Sequence, residues 1–130
     1  MEKKDLVIIG SGPAGLSAAV YAQRAMLDQV VIEKEMFSGG QIVTTDRIDN
    51  YLGLYGENGY DLSVKFREHA DALGVPFLED EVKKIENHGT TKEVVLENGD
   101  VIEAKAVLLD TGAHHKMLQA EGEKELTGAG

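Results

Sequence analysis

Gly10, Gly12 and Gly15 stand as G-x-G-x-x-G at the end of an apolar, β-branched run, Asp5-Leu-Val-Ile-Ile-Gly10, and open directly into the small-residue pattern Pro13-Ala-Gly-Leu-Ser-Ala-Ala19. A strand that turns through glycines into a helix is the context in which this spacing binds a dinucleotide. Gly10 lets the chain turn sharply out of the strand. A side chain at Gly12 would stand where a pyrophosphate must approach the backbone, and Gly15 lets the helix lie close to the sheet. The free N–H groups at the helix start then face the phosphates, helped by the positive end of the helix dipole.

A second apolar run, Gln29-Val-Val-Ile-Glu33, ends in an acid a little over twenty residues after Gly10. A carboxylate there accepts hydrogen bonds from the hydroxyls of an adenosine ribose and would repel a 2′-phosphate. The residues therefore favour FAD or NAD over NADP, and by themselves do not choose between the first two.

The elements that must hold these residues follow from periodicity and punctuation. Strands are expected over about Asp5–Gly10 and Val30–Glu33, with a helix over about Pro13–Met26 between them. A long loop, Lys34–Gly59, carries Gly39-Gly40-Gln41 and Thr44-Thr45. A second helix, about Tyr60–Leu73, shows Leu62, Phe66, Ala70 and Leu73 on one face and stops at Gly74. A strand at Val75–Leu78 precedes three more: Val82–Glu86, Lys92–Glu97 and Asp100–Ala104. Asn98-Gly99 joins the last pair as a two-residue hairpin. Ala106–Asp110 reads as a separate late strand ending at Thr111-Gly112. The expected fold is a three-layer α/β domain, Rossmann-like, with a parallel sheet and an inserted antiparallel three-stranded meander over residues 1–113, followed by an irregular segment over 114–130.

Composition narrows the function classes. The chain has 130 residues, with 13 basic against 23 acidic side chains and a formal charge of −10. That balance argues against nucleic acid and anionic membrane as partners. No run approaches a membrane span, and the start lacks a signal-peptide core. There is no cysteine, which fits a cytoplasmic location and leaves this chain without a redox disulfide, thiolate nucleophile or cysteine metal site. His114-His115, Glu79-Asp-Glu81 and the loop tyrosines 51, 55 and 60 have ordinary readings, as solvated groups and loop packing respectively.

Gly10-Ser-Gly-Pro-Ala-Gly15, Gly39-Gly-Gln41, Thr44-Thr-Asp-Arg-Ile-Asp-Asn50, Ala104–Gly112 and Gly122-Glu-Lys-Glu125 together resemble the N-terminal FAD-binding part of bacterial thioredoxin reductases. The glycine fingerprint is shared by many flavoproteins, while the G-G-Q loop with its threonines and Asn50 is more specific. The resemblance implies that Gly10, Ser11, Gly12, Pro13, Ala14 and Gly15 line the FAD pyrophosphate and that Glu33, with Lys34 beside it, meets the adenosine ribose. It implies that Gly40, Gln41, Thr45 and Asn50 lie toward the flavin, that Val82 reads adenine through its main chain, and that Thr111 and Gly112 close over the cofactor. In the family, hydride passes from NADPH to the flavin, and electrons then pass to a disulfide and on to thioredoxin. The NADPH domain and its cysteine pair have no counterpart in these residues. The chain is therefore expected to be a fragment, inactive alone, with FAD as its cofactor. The rival expectations are a non-catalytic Rossmann-like fragment that binds FAD weakly or not at all and self-associates as a homodimer, and an NAD-binding half. One departure stands out: where the family has Ala-Thr-Gly, this chain has Asp110-Thr-Gly, and a carboxylate near two phosphates is expected to weaken FAD.

Overall fold

A computed structural model of the chain describes residues 1–35 and 38–111, with only the backbone at Gln41 and Ile42. The elements run β1 (Glu2–Ile9), α1 (Pro13–Arg24), β2 (Gln29–Glu33), a 3-10 turn over Gly40–Thr44, α2 (Gly59–Ala72), β3 (Phe77–Glu79), β4 (Val82–Asn87), β5 (Lys92–Leu96) and β6 (Val101–Leu109). They build one six-stranded sheet in the order β3-β2-β1-β6-β5-β4. The first four strands of that order are parallel and the last two join antiparallel.

Side-chain alternation along β1 decides the layers. Ile8, with Val31 of β2, packs against Leu16 and Ala19 of α1 and Ala70 of α2. Val7 and Ile9 point the other way, with Val30 and Ile32, onto Val94 and Leu96 of β5. The sheet thus curls so that its antiparallel end covers the face of β1 and β2 that the helices leave bare. Ile8 and Ile32 are fully buried, each stabilising by about 1.5–3 kcal/mol relative to exposure. The expected three-layer α/β fold is the one the chain adopts.

Three details differ from the sequence expectation. The strands expected at Asp100–Ala104 and Ala106–Asp110 are one continuous strand, β6. Nothing at Lys105 interrupts the extended backbone, and its ammonium reaches outward to Asp5 at 3.1 Å. One edge of β6 pairs with β1 from Ile102 to Leu109, while the first residues of its other edge pair with β5. Val75 belongs to the end of α2 rather than to a strand: its N–H donates to the Ala70 carbonyl (3.1 Å) across Gly74, whose φ is +80°, and β3 begins after Pro76. The hairpin at Asn98-Gly99 is a three-residue loop. Gly99 alone has positive φ (+94°), and its N–H donates to the Leu96 carbonyl. A two-residue type I′ turn would need Asn98 there too.

Both helices end by the same device. Met26 takes the left-handed position after α1 (φ +59°), with Met26 N–H on Gln23 O and Leu27 N–H on Ala22 O, each at 3.0 Å, a Schellman closure. At the other end of α2, Asn58 caps the first turn by accepting from Asp61 N–H at 2.8 Å.

Candidate functional site

The site grows from the C-terminal end of β1. Gly10 leaves the strand with φ +101°, and a Cβ there would overlap the Asp110 carbonyl oxygen. Its N–H donates to Ile32 O at 2.8 Å, which fixes the turn to the end of β2. Ser11 is fully buried. Its N–H and its hydroxyl both donate to Glu33 Oε1, at 3.1 and 2.5 Å, and Glu35 N–H donates to the other oxygen at 3.2 Å. Three donors therefore orient one carboxylate at the tip of β2. The sequence pointed to Glu33 but not to its bond with Ser11. A hydroxyl inside the fingerprint, one turn from a strand-end acid, was the available signal.

Gly12 caps α1 without any side-chain hydrogen bond, and its carbonyl accepts the first helical bond, from Leu16 N–H at 3.0 Å. Pro13 has no N–H. Gly15 N–H donates to Asp110 Oδ2 at 2.7 Å. A Cβ on Gly15 would come within 2.5 Å of Gly10 O and 2.6 Å of that same carboxylate oxygen, so Gly15 does let α1 sit close to the strand ends. Of the amides expected to face phosphate, Ser11 and Gly15 have partners within the chain. Among the described residues the N–H groups of Gly12 and Ala14 have none. Two open amides at the positive end of a helix form an anion seat.

Two clefts flank this seat. One, of about 240 Å³, is lined by Gly10, Glu33, Lys34, Val82 and Thr111, over an apolar floor that includes Ile9 and Ile32. Asp80 and Glu81 lie on its wall; the sequence offered them only as a solvated edge. The second, of about 250 Å³, brings Pro13 together with Thr45 and Asn50. The G-G-Q loop bridges the two: Gly39 N–H donates to Ser11 O at 2.9 Å, and a Cβ on Gly40 would lie 3.5 Å from Gly12 Cα. The side chain of Gln41, like Gly112 and His114-His115, lies outside the described residues.

The loop around Asn50 is held by its own polar contacts. Ile48 and Glu57 form an isolated bridge, and Thr45 O accepts from Gly59 N–H at 2.6 Å. Arg47 binds Asp49 at 2.6 Å and the Tyr55 hydroxyl at 2.9 Å; the Asp49 hydrogen bond pushes the Arg47 pKa above its ordinary value. Tyr51 packs on Phe66 with ring centroids 5.1 Å apart. Arg67 stacks on Phe77, with its guanidinium carbon 3.4 Å from the ring centroid, and donates to the buried Ser38 hydroxyl at 3.0 Å. That anchor of the glycine loop had no sequence signal.

The residues present fit a dinucleotide of the FAD or NAD type. An anion seat lies between a cleft with an oriented carboxylate and a cleft with Thr45, Asn50 and the Arg47–Asp49 ion pair on its walls, and no side chain projects from Gly12 or Gly40 where the backbones meet. Asp110 places a charge of the wrong sign at the seat itself.

The family model for pyridine nucleotide-disulphide oxidoreductases matches residues 4–130. The thioredoxin reductase of Listeria monocytogenes is 39% identical over 126 residues, which make up 97% of this chain and 39% of that protein. Among solved structures, thioredoxin reductase from Lactococcus lactis superposes with a TM-score of 0.83 at 39% identity, over 95% of this chain and 40% of that one. A ferredoxin-flavin thioredoxin reductase from Clostridium acetobutylicum gives 0.83 at 29% identity, over 97% and 43%. The chain thus spans about two fifths of the length of these relatives. With the match running over nearly every residue that builds the seat and its clefts, the chain belongs to the pyridine nucleotide-disulphide oxidoreductase family, a family of FAD-binding flavoproteins, and is thioredoxin-reductase-like within it.

Proposed function

We propose that this chain seats FAD as the flavin-binding part of a thioredoxin-disulfide reductase. The single observation that carries the reading is the pair of open amides at Gly12 and Ala14, beside a Glu33 carboxylate already oriented by Ser11. In this reading the two N–H groups donate to the pyrophosphate and Glu33 accepts from the ribose hydroxyls. The main chain at Val82 reads adenine, while Gly40, Gln41, Thr45 and Asn50 border the flavin. Lys34 supplies the cation on the adenosine side, and Thr111-Gly112 form the closing loop.

FAD, when bound, supplies the two-electron chemistry; the chain's own residues bind and orient it. With no cysteine in its 130 residues, the chain by itself should not reduce a disulfide with NADPH. Thioredoxin is the partner of the whole reductase, in the cytoplasm. The formal charge of −10 weighs against nucleic acid and anionic membrane surfaces as partners; among the described residues no helix is long and apolar enough to cross a bilayer. Exposed Tyr21 and Leu73 along the groove between α1 and α2 support self-association as a homodimer.

Parallel titrations with FAD and NAD test the reading. Saturable FAD binding with a flavin absorbance band that survives gel filtration is the expected result. Binding of NAD but not FAD would move the assignment to an NAD-binding half.

A further inference from the structure

Asp110 follows directly on β6, and its N–H donates to Ile9 O at 2.7 Å. That bond continues the parallel β1–β6 ladder and holds the backbone of Asp110 in place. The side chain turns toward the start of α1, where Oδ2 accepts from Gly15 N–H at 2.7 Å and lies 3.2 Å from where a Gly12 Cβ would be. A carboxylate therefore occupies the mouth of a helix N-terminus, in the manner of a bound anion. The two amides left open, Gly12 and Ala14, belong to the same turn. An incoming pyrophosphate must either share this turn with a like charge or displace the carboxylate from Gly15. Either course weakens binding, and in the partly buried seat the repulsion exceeds its value in water.

From this geometry we infer that Asp110 is an internal anion that stabilises the free chain and lowers its affinity for dinucleotides, an inference that rests on the dinucleotide reading of the glycine turn. The same bond that satisfies Gly15 in the free chain opposes the ligand. Stability without cofactor and affinity for cofactor should therefore move in opposite directions when Asp110 is changed.

Asp110→Asn retains an acceptor for Gly15 N–H and removes the charge; Asp110→Ala removes both. Calorimetric titration of the full chain and each variant with FAD and with adenosine, together with thermal melts of the free proteins, tests the inference. Both variants should bind FAD at least about tenfold more tightly than the parent, with adenosine affinity unchanged, because adenosine has no phosphate. The free Asp110→Ala chain should melt roughly 3–5 °C lower, with Asp110→Asn nearer the parent. FAD affinity within twofold of the parent in both variants would overturn the inference while leaving the dinucleotide reading intact. An equal gain for adenosine would overturn it too, since the effect would not pass through the phosphates. Failure of all three folded proteins to bind FAD would overturn the dinucleotide reading itself.

Discussion

At the end of the site that we propose for adenosine, Gly10, Ser11 and Glu33 are fixed by the ladders of β1 and β2 and by hydrogen bonds of 2.5–3.1 Å between buried or half-buried groups. At the end proposed for the flavin, Thr45 and Asn50 are exposed and ride on the connection between β2 and α2. That connection is held by one isolated bridge, the Arg47 cluster, the Arg67–Ser38 contact, the Tyr51–Phe66 ring pair and single backbone bonds at Gly39 and Gly59. The first region inherits its geometry from sheet register, the most cooperative part of the fold, and is formed before any ligand arrives. The second depends on local contacts and should respond to what binds beside it. On the proposed placement, pre-organisation is thus graded along the cofactor, from ribose to ring.

Substitutions can break that gradient, the largest effect coming first. Gly10→Ala forces a Cβ onto the Asp110 carbonyl at φ +101°; it should cost about 3 kcal/mol or more of stability, seen as a lowered denaturation midpoint. A parent-like midpoint would mean that the turn is not locked as described. Gly12→Val meets no backbone strain (φ −69°), but its Cβ would lie 3.2 Å from Asp110 Oδ2, which must give way, so the fold should persist with a moderate loss of stability. FAD binding should fall at least about a hundredfold, since the branched side chain screens the open amides. Retained affinity would show that the pyrophosphate lies elsewhere. Glu33→Ala should weaken FAD and adenosine alike by about 1.5–3 kcal/mol, the range for a hydrogen bond to a charged group. Loss confined to FAD would remove Glu33 from the ribose. Asn50→Ala sharpens the contrast from the other end: it should weaken FAD by about 0.5–1.5 kcal/mol and leave adenosine untouched, as read in the same pair of titrations.

Much of the glycine turn's geometry was legible in the amino-acid sequence because glycines under steric compulsion carry information. Gly10 and Gly15 each face an atom where a Cβ would clash, so only one residue type fits, and spacing along the chain specifies which loop is meant. Glu33 was legible for a related reason: the apolar run of β2 ends where the sheet does. What sequence could not show are contacts set by tertiary register. Gly15 and Asp110 meet across 95 positions, and their bond exists because β6 lies parallel beside β1. The division of β6 into two strands failed because its continuity depends on both neighbouring strands, which no local pattern encodes. Arg67 looks like any helix-surface arginine until α2 places it over Phe77 and beside Ser38.

The central claim is that two amides at the start of α1 are held open for a diphosphate. Backbone amide NMR of the isotope-labelled chain during FAD titration reads those groups individually. The account predicts that the Gly12 and Ala14 resonances shift most, with Ser11 and Gly15 moving as their partners adjust. Saturation by FAD with Gly12 and Ala14 unmoved, and the largest shifts elsewhere, would contradict it.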